Sequence, residues 1–215
     1  MFSTITPGAH YFGSLVALLT TENPDGSTNI TPMSSAWSLG DHFVLGLSSL
    51  HQGFANLIRT GEVVLNLPDE AMAGSIERIA MTTGSPEVPR EKAGMYRSEP
   101  DKWSLAGWTP MPSETVAPQR ISEAPVHIEA GLENAWPLDE GLHAVQVRVR
   151  RVHARHDLVL DSGRVDVAAW SPVFYTFRHY FGQGRHLGEN RRAEQRFPGR
   201  GRPRAVGGGA GIVRP

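Results

Sequence analysis

Apolar residues in this chain fall in short blocks set between glycine, proline and acidic turns, a strand pattern rather than a helical one. Leu15-Val16-Ala17-Leu18-Leu19 leads to Asn23-Pro24-Asp25-Gly26, and Asp-Gly is a strong hairpin turn. The run predicts one strand and Ser27–Met33 its return, with Ser27, Asn29 and Thr31 on one face. Phe43–Leu47 and Val63–Leu67 predict two more strands. Between them Phe54, Leu57 and Ile58 recur at helical spacing across His51–Arg59, and Gly61 supplies the stop. A second helix is expected after Asp69, a good N-cap, with Met72, Ile76 and Ile79 on one face. Later, Val126–Leu132 predicts a strand, and alternation from His143 sets Val145, Val147 and Val149 inward against Gln146, Arg148 and Arg150. Val152 falls out of phase, so this strand should end or bulge near Arg151. Asp161-Ser162-Gly163 should turn the chain between Leu158–Leu160 and Val165. The expectation is a mainly β fold, a barrel of about six or seven strands with a few short helices.

Two stretches break the pattern. From Thr82 to Glu123 six prolines (Pro86, Pro89, Pro100, Pro110, Pro112, Pro118) forbid a long helix or a central strand. So long an irregular segment is usually a functional excursion, and Trp103, Trp108 and Met111 make it a candidate lid or subunit contact. From Arg196 onward arginine, glycine and proline leave almost nothing to bury, so disorder is expected. The domain reading is 1–190 for one folded unit and 191–215 for a tail.

Composition narrows the function. The chain has 215 residues, enough for one domain with a proper core, and a net charge of -1. That charge argues against a general nucleic-acid or anionic-membrane surface. With no cysteine there is no disulfide, thiolate metal site or cysteine nucleophile. No apolar run approaches the ~20 residues that span a bilayer. Met1–Gly13 lacks a basic segment followed by an apolar one, so a secretory signal is not expected and a cytoplasmic protein is.

The candidate chemistry is binding rather than proton transfer. Small hydroxyl side chains crowd the strand ends at Ser34, Ser35, Ser48 and Ser49, with no acid–base pair nearby. His153 and His156 lie three apart in a strand-like segment without an acidic partner at ligand spacing, so no metal site is read there. No nucleophile elbow is present, and Gly182-Gln183-Gly184 lacks the strand and helix of a dinucleotide fingerprint.

Several segments, in order and spacing, resemble the flavin reductase-like family from about Tyr11 to about Leu187. They are Val16–Thr21 before Asp25-Gly26, Asn29–Ser35, Ala55–Asn66, Ile121–Glu129, and Trp170–Tyr175 with Tyr180. The chain departs from relatives at Gly53, where many carry threonine, and at Ala130, where cysteine is frequent. His51 stands where a basic residue often meets the phosphate.

The resemblance implies a Greek-key split β-barrel that binds FMN, with FAD as the other flavin, and reduction of flavin by NAD(P)H. It also implies a homodimer and a flavin-accepting monooxygenase as a partner. Ser34, Ser35, Ser48 and Ser49 would offer small donors, and the helix start at His51 adds unpaired N–H groups and a positive dipole end. Met33 or Trp37 would pack beside the ring, and Asn29 and Thr31 would face it. Asn56 is a contact or a packing residue, Asn66 is structural, and by the resemblance His179 or Tyr180 either borders the nicotinamide site or only packs. The alternative is an FMN-bound electron carrier or flavin-binding protein without nicotinamide turnover. A split-barrel oxidase for a phosphorylated pyridoxine-type substrate would need a second basic cluster, and none is legible outside the tail.

Overall fold

The computed structural model describes residues 2–8 and 10–188. Of these, the residues up to Arg185 close into one compact unit. The expectation for 191–215 lies outside the described residues.

Eight strands build the first two thirds of the architecture: β1 Phe12–Leu15, β2 Ala17–Glu22, β3 Thr28–Met33, β4 Ala36–Leu39, β5 His42–Ser48, β6 Glu62–Leu67, β7 Val126–Asp139 and β8 Leu142–Ala154. Seven of them form one antiparallel sheet in the order β3-β2-β6-β7-β8-β5-β4. The remaining strand, β1, pairs with β9 Phe174–Thr176, which pairs with β10 His179–Phe181. The apolar run read as one strand is therefore two elements of different sheets. Val16 lies between them, its N–H donating to the Val173 carbonyl.

That run is continuous because β2 is buried on both sides. Ala17 and Leu19 point into a core with Leu45, Leu65, Val145 and Val147, whereas Leu18 joins Ile30, Ile76, Ile79 and Ile121 on the other side. Each fully buried aliphatic side chain there contributes about 1.5–3 kcal/mol by area. Helix α1 Gln52–Thr60 packs Phe54 and Leu57 against the first core, and α2 Ala73–Ala80 and α3 Lys102–Ala106 cover the second. In α1 the buried face is Gly53, Asn56 and Leu57, and Ile58 faces solvent, contrary to the spacing argument. Gly61 ends the helix in the left-handed region, where its missing Cβ avoids strain. Asp69 caps a single 3-10 turn, Glu70–Met72, ahead of α2.

The hairpin β7–β8 is longer than expected, and the bulge lies one residue from the phase break. Glu129 pairs with Arg151 and Ala130 with Val149, which leaves Arg150 as the extra residue. The proline-rich excursion is not structureless. It holds α3, capped by the Asp101 side chain, and a two-residue ladder between Pro110–Met111 and Arg120–Ile121.

Candidate functional site

The end of β3 and the start of α1 meet the excursion around two adjoining cavities. One is small, about 50 Å³, and bordered by Thr31, His51, Thr83, Tyr96, Lys92 and Lys102. The other is a cleft of about 380 Å³ between Met33-Ser34-Ser35 and a wall that includes Ile76, Tyr175 and Tyr180. Pro32, His51, Ala80 and Tyr96 line both, so the small cavity is the inner end of the cleft.

Close backbone approach fixes the β3 side. Gly46 donates its N–H to the Ser35 carbonyl at 2.7 Å, and a Cβ on Gly46 would meet Ser35 Cβ at 2.9 Å. Tyr11 Oη lies 3.3 Å from Ser35 Oγ. Asn29 and Thr31 are buried side by side, with Asn29 Nδ2 donating to Thr31 Oγ1 at 3.0 Å. Glycine is required opposite each: a Cβ at Gly53 would collide with Thr31 Oγ1, and one at Gly84 with Asn29 Oδ1. Asn29 Oδ1 and His51 Nδ1 are buried without a hydrogen-bond partner. Such orphaned groups are uncommon in a closed core and fit a place that receives a ligand.

Charge in the inner end comes from two lysines that the sequence pattern did not single out. Lys92 and Lys102 are 8% and 4% exposed. Lys92 Nζ donates to the Leu50 carbonyl at 2.9 Å and lies 5.1 Å from the Tyr96 ring centre. Lys102 Nζ donates to the Ile30 carbonyl at 2.8 Å. Among the described residues no carboxylate forms a salt bridge with either, so each ammonium has N–H groups to spare. Burial, with Lys92 adding repulsion against the opposing pull of Glu99, brings Lys102 from 10.5 to about 8. Burial also lowers Lys92. The Lys102 displacement corresponds to ~3 kcal/mol of destabilisation while the amine stays charged. Burial and then the two lysines bring His51 to about 4, so its imidazole is neutral at neutral pH. The positive charge expected of His51 belongs to Lys92 and Lys102. A signal for them did exist: they are the only two lysines in the chain, whose other basic residues are all arginine or histidine. A compact ammonium is the basic group that tolerates such burial.

The remaining candidates divide. Met33, Ser34, Ser35 and Tyr180 line the cleft, and Thr31 and His51 the inner end. Ser48 and Ser49 lie where β5 ends and line neither cavity; Ser48 Oγ accepts from Leu50 N and Ser49 N donates to the Gly141 carbonyl. Asn56 Nδ2 donates to Thr21 Oγ1 and Asn23 Oδ1, a structural bond on the buried side of α1. Asn66 ties Leu18 and Thr20 to Ile121. Trp103 and Trp108 pack into the second core, Trp103 Nε1 donating to the Thr28 carbonyl. They anchor the excursion and do not line the cleft. His153, read as lacking an acidic partner, has Glu129 at 2.8 Å. Glu129 is fully buried. Burial works to raise its pKa, but hydrogen bonds from Thr115, from the Glu114 N–H and from His153 outweigh it and hold the carboxyl at about 2. Among the described residues no acidic or histidine cluster suits a metal ion, and no helix is long and apolar enough to cross a membrane.

At the outer end, Tyr180 Oη donates to Glu77 Oε2 at 3.0 Å. Burial, reinforced by Glu77, raises the phenol pKa. The turn between β9 and β10 places Phe177 at φ 44 and Arg178 at φ 74, the only non-glycine residues with positive φ among those described. Arg178 also borders the cleft.

The whole arrangement is a pocket with a buried cationic end, small hydroxyls along one wall and aromatic rings along the other. It can hold an anionic group joined to a flat, partly apolar body, and it positions no nucleophile beside a base.

Known proteins resemble this chain in sequence and in fold. YdfE of Bacillus subtilis (strain 168), described as uncharacterized, is 39% identical over 196 residues, spanning 90% of this chain and 95% of its own. Flavoredoxin of Desulfovibrio vulgaris (Miyazaki F) superposes with a TM-score of 0.74 at 19% identity, over 89% of this chain and 99% of its own. Nitrilotriacetate monooxygenase component B from Bacillus cereus gives 0.72 at 20% identity, over 88% and 99%. These two structures speak for the fold. A model described as the flavin reductase like domain matches residues 9–184, and the chain belongs to that family, with its split-barrel fold.

Proposed function

We propose that this protein binds FMN and reduces flavin with NAD(P)H. The observation that carries the reading is the pair of buried lysines at the inner end of the cleft. They carry positive charge, form no salt bridge among the described residues, and line the same small cavity as His51, whose Nδ1 is orphaned. A phosphate dianion there would relieve the repulsion between the amines and accept their spare N–H groups. The inner cavity is small, which favours the terminal phosphate of FMN over the larger dinucleotide tail of FAD.

Lys92 and Lys102 would hold the phosphate, with Thr31 Oγ1 and the neutral His51 ring as further partners. Ser34 and Ser35 would offer donors to the polar edge of the ring system, while Met33, Ile76 and Tyr180 exclude water from it. When bound, the flavin supplies the hydride and electron chemistry, which accounts for the lack of an acid–base pair. The protein contributes orientation and a dry wall. The neighbour named flavoredoxin supports a second reading, an electron carrier on the same site without nicotinamide turnover. The monooxygenase component among the neighbours supports a flavin-accepting oxygenase as partner. A homodimer is part of the reading, as is a cytoplasmic setting suited to a chain without cysteine.

Titration of the purified protein with FMN, followed by anaerobic mixing with NADH or NADPH, tests the reading. Saturable fluorescence quenching and bleaching of the flavin faster than in free solution are expected. Binding without accelerated bleaching would favour the electron carrier, and no binding would end the flavin reading.

A further inference from the structure

The turn joining β9 to β10 is the strained point of the described chain, and its Arg178 lines the cleft. Thr176 pairs with His179, so Phe177 and Arg178 are the two central residues of a tight hairpin. Both have positive φ, the geometry that favours Asn-Gly and disfavours a branched or bulky side chain. Two contacts hold the turn in place. The Phe177 ring meets Phe12 edge-on at 4.7 Å, and Phe177 N–H donates to the Tyr11 carbonyl. Arg178 thereby lines the cleft together with Met81, Tyr175 and Tyr180. It is exposed and makes no hydrogen bond or ion pair with any described residue, although Glu77 lines the same cleft and is bonded to Tyr180. A guanidinium held in an unfavourable backbone state without an internal partner is a group kept for something outside the chain.

We propose that Arg178 is the anion-recognition residue for the second ligand of the cleft, taking a phosphate oxygen of a nicotinamide dinucleotide. This rests on the reading of the cleft as a flavin site. It places the two anion sites at opposite ends: the lysines inside for the flavin phosphate, the guanidinium outside for the reductant. The bidentate fork of arginine suits phosphate recognition at an exposed mouth, where a single ammonium would be more heavily hydrated.

The test compares wild type with Arg178→Gln, Arg178→Lys and Arg178→Gly, all loaded with FMN. Dissociation constants for NADP⁺ and NAD⁺ are measured by calorimetry, together with KM and kcat for NADPH and NADH. In R178Q and R178G, nucleotide affinity should fall about tenfold or more and KM should rise alike, with kcat and FMN affinity within about twofold of wild type. R178K should recover part of the loss. An effect on both nucleotides assigns the contact to the shared pyrophosphate; an effect confined to NADP⁺ and NADPH assigns it to the 2′-phosphate. R178G, free of the backbone strain, should melt no lower than wild type, which separates recognition from folding. FMN-loaded wild type that binds neither nucleotide, or R178Q and R178G that bind both as tightly as wild type, would overturn the inference and leave FMN binding standing. Failure of the FMN titration itself is the distinct failure of the flavin reading.

Discussion

Lys102 sets two requirements against each other. Its folded pKa, about 8, lies below the unfolded 10.5, so the unfolded chain binds more protons between those values. Stability of the ligand-free protein should therefore rise as pH climbs from 8 towards 10.5, by up to ~3 kcal/mol. Flavin affinity should move the other way. The phosphate gains its second charge above ~6, and the amine loses its proton above about 8 in the free protein, so binding should be tightest between. Lys102→Met tests both together. It removes a buried charge and leaves the Ile30 carbonyl short of one donor, a loss of ~1–3 kcal/mol that the relief of burial offsets. K102M should melt at or above wild type, bind FMN at least about thirtyfold more weakly, and lose the alkaline weakening. Calorimetric melting and fluorescence quenching across pH 6–10 check this, and an unchanged pH profile in K102M would assign the alkaline limb elsewhere.

At the scale of elements, the excursion depends on one carboxylate. Glu129 on β7 accepts from Glu114 N at 2.9 Å, Thr115 N and Thr115 Oγ1 each at 2.6 Å, and His153 Nε2 at 2.8 Å. Glu129→Gln turns one acceptor into a donor facing donors, at a cost of about 2–4 kcal/mol. The folded pKa, about 2, is depressed below the unfolded value, so this stabilisation is present above pH 4.5 and lost as pH falls towards 2. Acid melting of E129Q should be flatter than wild type over that window; parallel curves would show that other carboxylates control the acid limb. Elements of this kind escape a reading of the sequence. Alternation made β8 legible through Val145 and Val147, and Asp25-Gly26 made the β2–β3 hairpin legible, because neighbours along the chain determine both. The four-residue β4 and the far half of β7 are largely exposed, so no apolar rhythm marked them. Thr31 and Met33–Ser35 were found because they share one strand and its exit. Lys92 and Lys102 come from a proline-rich segment with no period, and only tertiary folding brings them to β3.

On the scale of the whole molecule, the cleft is bounded on one side by a surface that one chain does not cover. Trp37 and Leu39 on the outer strand β4 are 57% and 63% exposed, and Leu138 near the β7–β8 turn is 68% exposed. Between β1, β4 and that turn runs a groove of about 470 Å³ with Leu15, Ala36, Trp37 and Leu138 along it. Ser34, Ser35 and Gly46 border this groove and the cleft alike, so whatever fills one bears on the other. A second copy of the chain is the proposed occupant, since an unpaired outer strand with apolar side chains is otherwise an aggregation hazard. Trp37→Glu and Leu138→Glu place charge in that contact without touching either buried core. Each should shift light-scattering mass from two chains to one and weaken FMN binding about tenfold through loss of the shared Ser34–Ser35 wall. The far-ultraviolet spectrum should stay unchanged. A dimer that persists in both variants would move the interface elsewhere, and a monomer that keeps full FMN affinity would show that one chain completes the flavin site alone.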